Sequence, residues 1–246
     1  PSLLIDINDV EELSGISIKG EHLVIKAGTR QVKALSSEIV REKIPLLAEA
    51  LSHVGHTQTR NLGTVGGSLV NADPSAEIPL IAQTLEATIV VQSVRGKRSI
   101  VASDFFESAM VTSLAPDECL VEVCFPIWSG ERNGYGFQEV SIRDSDYALA
   151  AAAAQLTLDE SDNCKKLSLS ICGASPTAIR LRPLEEALLG KHPENQVIIE
   201  ACEIIDDLID PQADVHADAD YRGRVAKVMA RRAISDARDR AKGFLK

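Results

Sequence analysis

Residues Thr59 to Glu77 read TRNLGTVGGSLVNADPSAE, three glycines within five residues followed by small and polar side chains and an Asp-Pro pair. Gly63, Gly66 and Gly67 carry no Cβ and reach positive φ freely, so a ligand can approach the backbone and successive N–H groups can converge on an anion. Thr64 and Ser68 add hydroxyl donors. No Gly-Lys-Ser/Thr follows, so this is no Walker A loop, and the Gly-x-Gly-x-x-Gly of a dinucleotide fingerprint is absent. On spacing alone, a phosphate loop and a plain tight turn both fit.

Outward from this stretch the pattern is mixed. LLIDI (Leu3 to Ile7) and HLVIKAG (His22 to Gly28) are short β-branched runs between turn residues and predict strands. Ile44, Leu47, Ala48 and Leu51 recur at helical spacing between Ser37 and His53, with Pro45 suited to a first turn. Downstream, Pro74 to Ala87 predicts a short helix interrupted near Pro79. TIVVQSVRGKRSIV predicts a hairpin, Thr88 to Gln92 and Arg98 to Val101, turning through Arg95-Gly96. CLVEVCFPI (Cys119 to Ile127) is a strand stopped by Pro126. The polar, turn-rich WSGERNGYG that follows marks a boundary between a domain of residues 1–130 and one of residues 131–246.

The second part reads as strands and then helices. GFQEVS, ALAAAAAQLTL and KLSLSICGA predict three strands, although propensity alone would make the alanine run Ala148 to Ala154 a helix. PLEEALLG with Gly190 as its cap, Asn195 to Ile209, and Asp220 to Lys242 predict three helices. The fold class is therefore α+β.

Composition narrows the function. The 246 residues suffice for two modest cores, and a formal charge of -10 argues against a nucleic-acid partner. No apolar run approaches the roughly 20 residues that span a bilayer, and the start lacks a signal peptide's basic and apolar regions, so a cytoplasmic protein without a transmembrane segment is expected. The five cysteines contain no Cys-x-x-Cys and read as reduced thiols, with no metal site or cluster in the chain. His53 and His56 lie near Glu49 at a spacing that suits a metal, but they read as surface histidines at a helix end. Arg143 and Asp146 either pair with each other or leave Arg143 facing a ligand or partner. Arg222, Arg224, Lys227, Arg231, Arg232, Arg238 and Arg240 read as a solvated helix face interleaved with Asp236 and Asp239. No nucleophile–base arrangement is present, so no catalytic residue is assigned.

With its flanks, TRNLGTVGGSLVNADPSAEIP resembles the second flavin-binding loop in the flavoprotein subunits of molybdenum hydroxylases. That family includes the medium subunit of aerobic carbon monoxide dehydrogenase and the FAD domain of xanthine dehydrogenase. Arg60-Asn61, Gly63-Thr64-Val65-Gly66-Gly67, Asn71-Ala72, Asp73-Pro74 and Glu77-Ile78-Pro79 carry the likeness. PSLLIDINDVEELSGI, SDFFESAMVTSLAPDECLVEVCFP, SIRDSDYALAAAAAQL and ADADYRGRVAKVMARRAISDA extend it along nearly the whole chain.

The resemblance implies a vanillyl-alcohol-oxidase-type (PCMH-type) FAD-binding domain, then a C-terminal domain with a three-stranded antiparallel sheet and a helix bundle. It implies FAD as the cofactor, with Gly63, Thr64, Val65, Gly66, Gly67 and Ser68 along the pyrophosphate and ribityl chain. Asp73 lies within the same loop, Glu77 would accept hydrogen bonds from FAD hydroxyls, and Tyr147 would lie against the isoalloxazine ring. Read without the resemblance, Glu77 is equally a helix-start carboxylate and Tyr147 a core aromatic. The molybdenum cofactor and 2Fe–2S clusters are implied on partners only, a large and a small subunit assembled as a dimer of heterotrimers. Two departures stand out. Ser68 replaces an asparagine found in some relatives, and the family's first flavin loop, with the small subdomain that holds it, has no counterpart before LLIDI. These departures suggest the alternative of a flavin-free structural or assembly subunit.

Overall fold

In the computed structural model, which describes residues 3–245, the first half is built on an antiparallel five-stranded sheet. β1 (Ile16–Lys19) and β2 (His22–Lys26) form a hairpin, and six short helices follow before the next strand. They are α1 (Gln31–Ser36), α2 (Glu38–Lys43), α3 (Pro45–His53), α4 (Thr57–Leu62), α5 (Val65–Asn71) and α6 (Glu77–Thr84). β3 (Thr88–Ser93) and β4 (Gly96–Val101) make the second hairpin. α7 (Ala102–Phe105), β5 (Phe106–Ser108) and β6 (Val111–Thr112) lead to β7 (Cys119–Pro126). β7 returns to the middle, giving the order β1-β2-β7-β3-β4. Leu23, Ile25, Ile89, Val91, Val123 and Phe125 on this sheet meet Leu46, Leu47, Leu51, Leu69, Ile78 and Ile81 of the helices in one core. Full burial of such side chains stabilises by about 2 kcal/mol each.

The second half is a four-stranded antiparallel sheet, ordered β11-β10-β9-β8. β8 (Asn133–Ser141), β9 (Ala148–Leu158) and β10 (Cys164–Cys172) are the three expected strands, and β11 (Ile179–Arg180) adds a short fourth. α8 (Arg182–Leu188), α9 (Asn195–Cys202) and α10 (Ala219–Ala241) cover one face. Residues alternate across a strand, and β9 uses both of its sides. Ala151 and Ala153 enter the core of the first half, whereas Ala150, Ala152 and Ala154 enter the core beneath α10. The alanine run is a strand because two packed layers press on it from opposite faces, which overrides its helical propensity.

Some local expectations are corrected. Leu3 to Ile7 forms no strand and is exposed; the Asp6 carboxylate accepts the Asn8 N–H at 2.9 Å, a local turn that competes with extension. Pro79 does not interrupt α6, because it is the third residue, where no intrahelical N–H bond is lost. The Ser37–His53 pattern is two helices, parted at Ile44 in front of Pro45. The Asn195–Ile209 pattern stops being α-helix at Cys202 and continues as a 3-10 turn, Glu203–Asp207.

Candidate functional site

The glycine-rich stretch is neither an open loop nor a simple turn. It forms the end of α4, a one-residue bridge between Thr64 and Arg30, and the first turn of α5. Thr64 caps α5, its hydroxyl accepting the Gly67 N–H at 3.0 Å. Gln31 N–H donates to the Gly63 carbonyl at 2.9 Å, Val65 N–H to that of Thr29 at 3.0 Å and Gly66 N–H to that of Ala27 at 2.8 Å. The expected convergence of successive N–H groups on an anion is therefore replaced by stitching onto the loop after β2. Nor is positive φ used at Gly63, Gly66 or Gly67. What glycine provides is closeness: a Cβ on Gly66 would lie 2.6 Å from the Ala27 Cβ, and one on Gly63 2.6 Å from the Gln31 Oε1.

Beside this turn lies a groove of about 640 Å³. Gly63, Thr64, Gly67 and Ser68 line it together with Asp73 and Glu77 from one stretch of chain and Ser145, Asp146 and Tyr147 from another, the two stretches taken as its walls. Val65 and Gly66 do not line it; both are buried in the first turn of α5 and act through the backbone. Tyr147 is 69% exposed, which removes the core-aromatic reading. Glu77 is the first residue of α6, as its helix-start reading has it, and it also lines the groove. Burial pushes its carboxyl up to about 7, with Asp73 adding a smaller push in the same direction. A carboxyl titrating there donates as well as accepts near neutrality, whereas a pure acceptor was expected. Glu139 nearby is pushed up to about 8, by burial and then by the charge of Glu77, and its Oε2 has no hydrogen-bond partner among the described residues.

Other lining residues carry no motif that a sequence reading could find. Arg30, the residue that bridges to Thr64, reaches the Leu62 carbonyl through Nη1 and the Asn8 side chain at 2.9 Å through Nη2, both on the rim. Gln31 is buried, and its Oε1 faces the glycine turn without a hydrogen-bond partner. Arg30 stands four residues after the end of β2, just before α1, and gains its place from the bridge to Thr64; Gln31 reads as an ordinary helix residue. His56 and Thr59 close the remaining side.

The histidine pair proves to be no unit. His53 packs its half-buried ring 4.9 Å from that of Phe137, and burial lowers its pKa. No cluster of histidine, cysteine and carboxylate side chains suited to a metal is present among the described residues. Arg143 and Asp146 form no side-chain ion pair; their contact is Asp146 N–H to the Arg143 carbonyl at 3.1 Å. The cations of α10 are not a simple solvated face. Arg222 is buried, Lys227 pairs with Glu203 and Asp206, and Arg240 lies 4.2 Å over the Tyr135 ring and pairs with Glu49.

Residues 1–128 match the family model described as the FAD binding domain in molybdopterin dehydrogenase, and residues 135–237 match the CO dehydrogenase flavoprotein C-terminal domain. The chain is 36% identical to the 6-hydroxypseudooxynicotine dehydrogenase complex subunit alpha of Paenarthrobacter nicotinovorans, over 98% of this chain and 81% of that protein. It is 31% identical to the carbon monoxide dehydrogenase medium chain of Hydrogenophaga pseudoflava, over 96% and 82%. The structure superposes on a chain of quinoline 2-oxidoreductase from Pseudomonas putida 86 with a TM-score of 0.93 at 33% identity, covering 98% of this chain and 83% of that one.

Proposed function

Because the chain belongs to the FAD-binding flavoprotein subunits of the molybdopterin dehydrogenase family, we propose that it serves a molybdenum-containing hydroxylase as its electron-transfer subunit. It takes electrons from 2Fe–2S clusters on a small partner subunit and delivers them to a terminal acceptor, while substrate oxidation occurs at the molybdenum cofactor of a large subunit. The proposed assembly is a dimer of such heterotrimers in the cytoplasm; no described helix is long and apolar enough to cross a membrane. The first domain, ending near residue 130, is proposed to be of the vanillyl-alcohol-oxidase type.

The observation that carries this reading is the groove. It draws Thr64 and Gly67, Glu77, and Tyr147 from three separate stretches onto one surface inside a chain with an FAD-binding domain. Bound FAD supplies one- and two-electron redox chemistry, and the protein's part is placement and tuning. Gly63, Thr64, Gly67 and Ser68 would hold the pyrophosphate and ribityl chain, and Gly67, without a Cβ, leaves room for close approach. Arg30 sets a cation on the same rim against the phosphate charge. Glu77 would hold FAD hydroxyls. Tyr147 offers its exposed ring to the isoalloxazine. Val65 and Gly66 fix the angle of α5.

The test is the purified complex carrying Gly67→Asp, which sets a carboxylate in the groove; its Cβ would lie 2.7 Å from the Thr64 hydroxyl, which must turn aside, so assembly of the complex is checked beside FAD affinity. Gly66→Asp is unsuitable, since its side chain would strike Ala27. The assembled Gly67→Asp complex should lose FAD affinity at least about tenfold, a change of ~1.4 kcal/mol. A wild-type complex that shows no flavin absorbance after addition of FAD, or Gly67→Asp turnover equal to wild type, overturns the reading in favour of a flavin-free assembly subunit.

A further inference from the structure

β8 and β9 pair Val140 with Ala150 and Ser141 with Ala148, so Leu149 is an extra residue with no partner opposite. A bulge of this kind turns a carbonyl out of the ladder, and a buried carbonyl needs a donor. Gly173, just past the end of β10, presents a second carbonyl. Its φ is 75°, and a Cβ there would lie 2.7 Å from the Leu149 oxygen, so glycine is what lets these two strand ends meet. Arg222, in the first turn of α10 and 6% exposed, answers both carbonyls. Its Nη1 donates to Leu149 at 2.7 Å and to Gly173 at 2.9 Å, and its Nη2 donates to the Asp214 carboxylate at 2.7 Å. Asp214 also accepts the N–H groups of His216 and Ala217 and is held down to about 2, chiefly by its bond to Arg222.

Each carbonyl adjoins one wall of the groove. Leu149 stands two residues beyond Tyr147. The Gly173 N–H donates to the Pro74 carbonyl at 2.8 Å, inside the stretch that runs from Asp73 to Glu77. One guanidinium is thus tied to both walls, although they come from opposite halves of the chain.

We infer that Arg222, backed by Asp214, is a positioning residue that sets the separation of the two groove walls, and through them the placement of Tyr147 and Glu77 toward a flavin. Its last step rests on the flavin reading; the clamp itself does not. Lysine keeps the charge but concentrates its donors on one nitrogen, and it cannot span two carbonyls and a carboxylate in the plane that the guanidinium offers.

The experiment uses the complex with the wild-type chain, Arg222→Lys and Asp214→Asn, followed by hydrogen exchange with and without FAD, FAD affinity, and visible circular dichroism of the flavin. Arg222→Lys should speed exchange about tenfold in residues 145–149 and 73–77 together, leaving the β3–β4 hairpin unchanged. Asp214→Asn should affect the same two segments to a smaller degree. FAD affinity should fall about tenfold, and the flavin dichroism should change with it. Exchange that rises evenly through α10 and the four-stranded sheet, a response in one wall only, or responding walls with unaltered FAD affinity and dichroism would each overturn the inference. If the wild-type complex takes up no FAD, the flavin reading fails by itself, and the paired exchange response still decides for or against the clamp.

Discussion

Glu77 and Glu139 show how a residue's surroundings change its chemistry. Both carboxyls lie at the meeting of the two halves, where burial raises them to about 7 and about 8. Between about pH 4.5 and 8 the folded chain thus holds protons that the unfolded chain releases. The stability linked to them is full below about pH 4.5 and is lost as pH rises through 7 and 8. Replacing Glu139 by Gln removes part of that loss. Thermal unfolding should find Glu139→Gln more stable than wild type at pH 8 by about 1–3 kcal/mol and nearly equal at pH 5. A difference that stays constant with pH would contradict this assignment. The Asp-Pro pair before Glu77 made its place at a helix start legible, and its place on the groove was expected only from the family resemblance. Its raised pKa was not, because desolvation depends on which elements cover the group.

At the scale of elements, the contact between α10 and β8 is unusually close. Gly134 and Gly136 lie against the backbone of α10, where a Cβ on either would run into the carbonyls of Ala237 and Ala233. Ala233 and Ala237, together with Ala150, Ala152 and Ala154 of β9, leave no bulky side chain to yield. Gly136→Ala should therefore destabilise the chain by about 3 kcal/mol, at the upper end for overpacking, measured by urea unfolding. An unchanged midpoint would show that α10 can lift away. GYG was read as a turn signal, whereas it is the interior of a strand: glycine was recognised, but the helix that demands it sits about a hundred residues downstream. The helix in GTVGGSLVN was missed for a similar reason. Glycines at adjacent positions lower helical propensity, and only the Thr64 cap and the packing on Ala27 make the turn hold.

Across the whole molecule, the boundary proposed near residue 130 divides the covalent chain more than it divides the core. Phe137, Ala151, Ala153 and Cys172 belong to the same buried cluster as the helices and sheet of the first half. Arg240 on the last helix reaches Glu49 on α3. The chain should therefore unfold in one transition, with far-ultraviolet dichroism and the fluorescence of its one tryptophan, Trp128, giving the same midpoint. Two separated transitions would show independent domains. The β3–β4 hairpin, the strands β2, β7, β8, β9 and β10 and the helices α3, α6, α8, α9 and α10 were readable from the sequence, because turn residues, caps and hydrophobic period act over a few positions, whereas the flavin reading of the glycine-rich stretch came from its resemblance to a family. Contacts between distant stretches are what the tertiary structure alone decided. They make the alanine run a strand shared by two cores, occupy the Val65 and Gly66 N–H groups, gather Tyr147 and Glu77 onto one groove, and bury Arg222 against two carbonyls. Each depends on which surfaces are brought together and dried, and no local pattern in the chain encodes that.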